Sequence, residues 1–285
     1  MYQENKPQYR ILLLIALAHG LNDLIQGVIP SIYPTLQSKY ALTMTQVGVI
    51  TLCYQLSASI LQPLVGNYTD KHPKPYSQVL GMAFTTIGIV SLSLASSYAA
   101  ILCSVVFIGV GSSVFHPEAS RVAFLASGGR RSFAQAIFQL GGNFGTALAP
   151  LLVILLLLSK KVIDGRVVEE SHQGNLIWFA SFSIFAMFIL LLIGKWRSIL
   201  LKLLKKKVKK TVVLPNLTRS QIHNSMIILM LLVFSKNFYT AAINNYFQFY
   251  TIKKFGFSNA EAQIYLFYFL GAVAAGSLIG GFLGD

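Results

Sequence analysis

Eight apolar runs, each of roughly 20 residues or more, the length a helix needs to cross hydrocarbon, dominate this sequence. They lie at 11–36, 45–68, 76–97, 99–125, 133–158, 175–194, 226–252 and 260–284. Lipid offers no partner to an open backbone, so each run is expected to be helical. A membrane β-barrel would show alternating segments of about ten residues, and Leu151–Leu158 does not alternate. Composition points the same way: 54% of the 285 residues are apolar and 11% charged, against about 25% charged in a soluble domain. So few charges cannot wrap an apolar core of this size in water. The expected fold is an all-α integral membrane protein. Cys53 and Cys103 sit inside apolar runs, which leaves neither a disulfide framework nor a zinc site to build on.

The first run opens like a secretion leader, with Lys6 and Arg10 ahead of Ile11–Leu17 and Ala16-Leu17-Ala18. The apolar stretch continues beyond that point, however, and seven more follow, so it is read as a retained helix. Lys and Arg set the orientation. With the N-terminus inside, sixteen face the cytoplasm and six the other side, while Lys236 stays within a span. The net charge of +14 thus reflects inside loops rather than nucleic-acid binding. Residues 195–225 form a cytoplasmic linker without an acid. In it Trp196, Ile199, Leu200, Leu203, Leu204 and Val208 recur at helical spacing among lysines, the pattern of an amphipathic helix on anionic headgroups.

An internal repeat is the most informative pattern. Gly66-Asn67-Tyr68-Thr69-Asp70-Lys71-His72-Pro73-Lys74 follows the second run, and Gly281-Phe282-Leu283-Gly284-Asp285 follows the eighth. In the same register Lys39-Tyr40-Ala41-Leu42-Thr43 meets Lys254-Phe255-Gly256-Phe257-Ser258, and Asn22 meets Asn237. Runs one and two therefore reappear as runs seven and eight.

This pattern resembles the major facilitator superfamily, whose signature loop reads G-x-x-x-D-[RK]-x-[GP]-[RK]. Gly66, Asp70, Lys71, Pro73 and Lys74 fit it in order, and Gly281 and Asp285 open a second copy. The resemblance implies two six-helix bundles that rock about a central site. Residues 1–194 would be the first bundle, 195–225 the linker and 226–285 the first two helices of the second. That makes about eight spans of an expected twelve. A narrower likeness runs through His116-Pro117-Glu118-Ala119-Ser120-Arg121, Gln135-Ala136-Ile137-Phe138-Gln139-Leu140-Gly141-Gly142-Asn143, Asn22-Asp23-Leu24-Ile25-Gln26 and Gln62-Pro63-Leu64-Val65-Gly66. These look like the fosmidomycin resistance family, which implies proton-driven efflux of a small antibiotic across a bacterial inner (plasma) membrane. One departure is Ser104-Val105-Val106-Phe107-Ile108 ahead of Gly109, where common drug–proton antiporters carry an arginine.

Ionisable groups inside a bilayer cost about 2.5–3.5 kcal/mol on insertion scales, so their placement directs attention. His19, Asn22, Asp23 and Gln26 share one face of the first helix, with Asp23 about 18 Å in, near the midplane. Ser112, Ser113, His116 and Ser120 share a face of the fourth, where Glu118 and Arg121 form an i, i+3 pair; Gln135, Gln139 and Asn143 line the fifth. Lys236, Asn237, Thr240 and Asn244 mark the seventh. Asp23 and His19 are the expected proton carriers. Asn22, His116, Glu118, Arg121, Gln139, Asn143, Lys236, Asn237 and Asn244 are the expected cavity residues, with Lys236 and Arg121 offering positive charge to an anionic substrate. Asp70 is expected to cap a neighbouring helix, and the glycine pairs Gly141/Gly145 and Gly276/Gly280 to admit close helix contacts.

The expected partners are the lipid bilayer, protons and a small, anionic molecule, without nucleic acid. No nucleophile–base pair, phosphate loop or metal-ligand spacing is present, so neither an enzyme nor a cofactor or metal is expected. Two other readings fit the same residues: an uptake carrier for another small anion, or a truncated membrane remnant that moves nothing.

Overall fold

The computed structural model describes residues 6–163, 166–204 and 218–284. Its helices are α1 (Tyr9–Ser31), α2 (Tyr33–Tyr40), α3 (Met44–Lys71), α4 (Ser77–Leu94), α5 (Tyr98–Ala126), α6 (Arg131–Leu157), α7 (Phe179–Leu204), α8 (Arg219–Phe255) and α9 (Asn259–Gly284). Among the described residues, seven helical stretches are long and apolar enough to cross a membrane. With α9, 26 residues long, they match the eight runs in order.

Local chemistry explains the boundaries. Thr43 and Thr218 each start a helix with a reciprocal capping box, closed by Gln46 and Gln221. The first run, expected unbroken over 11–36, is two helices. Pro30 lies in the last turn of α1, Pro34 in the first turn of α2, and the chain leaves helical geometry at Ile32 between them. The helix α8 is longer than its run at both ends, because Thr218 caps it early and Gly256, with φ 70°, ends it late.

Two differences go beyond boundaries. The connection after α6 folds into an antiparallel hairpin, β1 (Leu158–Ile163) on β2 (Arg166–Ser171), so the chain carries a small strand pair outside its helices. Residues 195–204, expected to begin a linker lying on the membrane, prolong the sixth spanning helix to Leu204. Arg197 and Leu200 are buried within that extension, because Arg197 has an internal counter-charge. Residues 205–217, with Val208, lie outside the described residues.

Two apolar clusters hold the bundle. Ile25, Ile29, Leu36, Ile50, Ile101, Val105, Val153 and Phe179 pack at the hairpin end. Leu12, Ile15, Met82, Phe115, Val122, Phe138 and Ile193 pack at the signature-loop end. The polar stripes of α1 and α5 lie between the two. Helices α1 and α6 approach backbone to backbone. A methyl group on Gly20 would stand 2.8 Å from the Gly141 carbonyl oxygen, and one on Gly145 would collide with the carbonyl of Gly20. The second glycine expectation is not met at Gly276, where an added methyl would meet nothing within 4 Å.

Candidate functional site

The belt between the two clusters centres on Asp23. One helical turn before it, His19 places Nε2 at 3.1 Å from Asp23 Oδ2. Across the α1–α5 contact, His116 places Nε2 at 3.3 Å from Oδ1. The other nitrogen of each ring is held by a backbone carbonyl: His19 Nδ1 lies 2.8 Å from Phe138 O, and His116 Nδ1 lies 3.1 Å from Ser112 O. The His19 ring also stacks on Phe138, centroids 3.9 Å apart. Gly142 makes room for this packing, since a methyl there would stand 2.6 Å from Asp23 Oδ2. Asn22 donates to Asp23 Oδ1 at 3.0 Å. Gln26 Oε1 accepts from the Tyr54 hydroxyl and, at 3.4 Å, from Ser112 Oγ. One ligand-type atom from each of His19, Asp23 and His116 falls within 4.8 Å of the others, near enough for one small cation, a proton included, to bridge them.

A second cluster ties the signature loop to the bundle. Glu118 is fully buried and accepts from Arg121 Nη1 at 2.6 Å, from Ser77 Oγ at 3.0 Å and from Arg197. Arg121 also reaches Thr69 Oγ1 at 3.3 Å and pairs with Asp70. Asp70 therefore meets a guanidinium on α5, which corrects the expectation that it caps a neighbouring helix. The α5 arginine captures it because Gly66, one turn earlier, packs beside Pro117, where even an added methyl would stand 3.9 Å off. Lys71, Pro73 and Lys74 are exposed. Gly281 continues α9, while Asp285 lies outside the described residues.

The remaining candidates are not drawn into either cluster. Gln139 is exposed and Asn143 half-buried on α6; Lys236 and Asn237 are exposed and Asn244 half-buried on α8. Among the described residues no hydrogen bond or ion pair joins Lys236 to Asp23, whose charged partners are the two histidines. Where α8 does meet the first bundle, other residues carry the contact. Asn245 Oδ1 accepts from Thr51 at 3.5 Å, Gln248 donates to Pro30 O at 3.3 Å, and Gln263 donates to Ser31 O at 2.5 Å. The break at Ile32 leaves those two carbonyls without helical partners, and the glutamines supply them. A groove of about 710 Å³ lined by Leu64, Tyr68, Thr69, Tyr76 and Leu80 opens between α3 and α4, apart from Asp23.

The Major Facilitator Superfamily model matches residues 15–285. The chain belongs to the major facilitator superfamily. Within this superfamily it is 47% identical over 280 residues to the fosmidomycin resistance protein of Escherichia coli (strain K12), a match covering 98% of the chain. It is 40% identical to an uncharacterized MFS-type transporter, YfnC, of Bacillus subtilis (strain 168), over 97% of the chain. The chain spans 66% of the length of both relatives. Two solved structures of a bacterial homolog of the human lysosomal transporter Spinster share the fold at 17% identity. The inward-facing, unoccupied form has a TM-score of 0.67 and covers 96% of this chain and 62% of its own. The occupied form has a TM-score of 0.71 and covers 99% and 62%. The family resemblance read from the signature loop is thereby established, and so is the helical major-facilitator fold.

Proposed function

We propose that this chain is the greater part of a proton-coupled exporter of a small anionic drug of the fosmidomycin type. The observation that carries the reading is the contact of Asp23 with two imidazoles in the polar belt midway along α1. A carboxylate at that depth is costly, and helix–helix adhesion does not require charge. Paired with histidines, the only side chains that ordinarily titrate between pH 5 and 8, it is built to take up and release protons. The 47% identity to a fosmidomycin resistance protein supports the drug class. The excess of Lys and Arg on the signature-loop side supports a cytoplasmic N-terminus in a bacterial inner membrane.

Reconstituted vesicles test this directly. With a proton gradient imposed, fosmidomycin flux is expected to rise several-fold over flux without one. Asp23→Asn is expected to lose that stimulation while the protein still folds. Undiminished gradient-driven flux in the variant removes Asp23 as carrier, and flux indifferent to the gradient removes proton coupling.

A further inference from the structure

Hydrogen-bond accounting around Asp23 leads to a count of protons. The Phe138 and Ser112 carbonyl oxygens only accept, so His19 Nδ1 and His116 Nδ1 both carry hydrogen. A neutral imidazole has one N–H. If both rings were neutral, two bare Nε2 lone pairs would face carboxylate oxygens at 3.1 and 3.3 Å, acceptor against acceptor. One proton, on either ring or on Asp23, repairs one contact and leaves the other opposed. Two protons turn both contacts into charge-assisted hydrogen bonds.

We propose that the Asp23 cluster is a two-proton site in which His116 carries the second proton and thereby holds α5 to α1. This deepens the exporter reading and rests on it. The two protons do different work. The His19–Asp23 contact lies within one helix at i, i+4, and the bond from His19 to Phe138 O uses Nδ1, so losing the Nε2 proton leaves the α1–α6 contact intact. The His116–Asp23 contact crosses between helices. When the His116 Nε2–H bond breaks and its proton passes to water, an attraction between α1 and α5 becomes a repulsion. Few other groups compete for these protons. Tyr54 faces Asp23 from α3 but donates to Gln26. Helix α6 brings Phe138, Gly142 and no titratable side chain, and Glu118 and Arg121 are committed to one another, to Asp70 and to Arg197.

The tautomer is the readout, because it does not depend on transport. The full chain, labelled with ¹⁵N in its histidine rings and held in lipid nanodiscs with chelator present, is titrated by NMR from low to high pH. His19 and His116 are expected to pass from doubly protonated rings to the uncommon Nδ1–H tautomer. The exposed His72, His172 and His223, assigned by His→Asn variants at those three positions, pass to the ordinary Nε2–H form. His116→Gln places a non-titrating amide near the lost Nε2 and is expected to remove one of the two anomalous titrations while His19 keeps the other. An Nε2–H tautomer at either ring, or a His116 ring already neutral at low pH, overturns the proposal; if the variant does not fold, the wild-type spectra alone decide. A failed drug-flux assay with these spectra intact would reject the exporter reading and leave the two-proton site standing.

Discussion

Arg197 and Glu118 form an ion pair in which neither side chain has any exposure, joining the extended end of α7 to the signature-loop half of α5. Two charges taken from water are held there by each other, by Arg121 and by Ser77. Removing one partner of a buried pair typically costs about 3–5 kcal/mol, because the other is left uncompensated. Arg197→Met is therefore expected to lower the thermal unfolding midpoint in detergent by many degrees. Adding Glu118→Gln should recover part of that loss, since the orphaned charge is then gone. An Arg197→Met variant that unfolds at the wild-type temperature would show the pair to be idle.

Asp70 stands at the wet end of the same chain of charges, with its side chain 65% exposed. Solvent-exposed pairs contribute about 0–1 kcal/mol. Asp70→Asn should leave the unfolding midpoint nearly unchanged yet slow vesicle flux, because the loop loses its tie to Arg121. The two measurements are made on one preparation; a large drop in the midpoint contradicts the expectation.

The α1–α6 seam predicts a contrast between two glycines. Gly145→Ala forces a methyl against the Gly20 carbonyl and should cost about 1–3 kcal/mol as the helices are pried apart. Gly276→Ala meets open space and gains helix propensity, up to about 1 kcal/mol. Unfolding midpoints should therefore move in opposite directions.

At the hairpin end, Gln263 bridges Ser31 O and Gln248 Oε1, the latter at 3.1 Å. A net hydrogen bond is worth about 0.5–1.5 kcal/mol, so Gln263→Leu should shift the balance of conformers several-fold toward separation of α2 from α9. Distances between spin labels on those helices report the change. An unaltered distance distribution would mean that the glutamines do not hold the halves together.

Much of this architecture is written in hydropathy alone. Eight apolar runs gave the eight spanning helices in order, and Pro30 and Pro34 flag the break at Ile32. The hairpin is signalled by Asp164-Gly165 between two valine-bearing hexapeptides, a pattern that span counting passes over. Periodicity places His19 with Asp23, and His116 with Ser112, because each set lies on one helix. It cannot say that the two sets meet, since that depends on how α1 and α5 pack. Arg197 is the clearest case. By sequence it is one more cation in a basic stretch, and the partner that buries it lies 79 residues away. Lys236 shows the converse: an intramembrane charge expected near Asp23 stays exposed on α8, because helical depth fixes height along an axis and not azimuth about it.

The absence of side chains between Gly20, Gly141 and Gly145 has a mechanical consequence. Interdigitated residues can ratchet past one another by changing rotamer, but two bare backbones in contact have no such gears, and the His19 bond to Phe138 O pins them further. The first and fifth spans form a rigid chassis. Since α6 also carries α9 along its other flank, any swing of the second half must pivot there, on a surface of side chains that can roll.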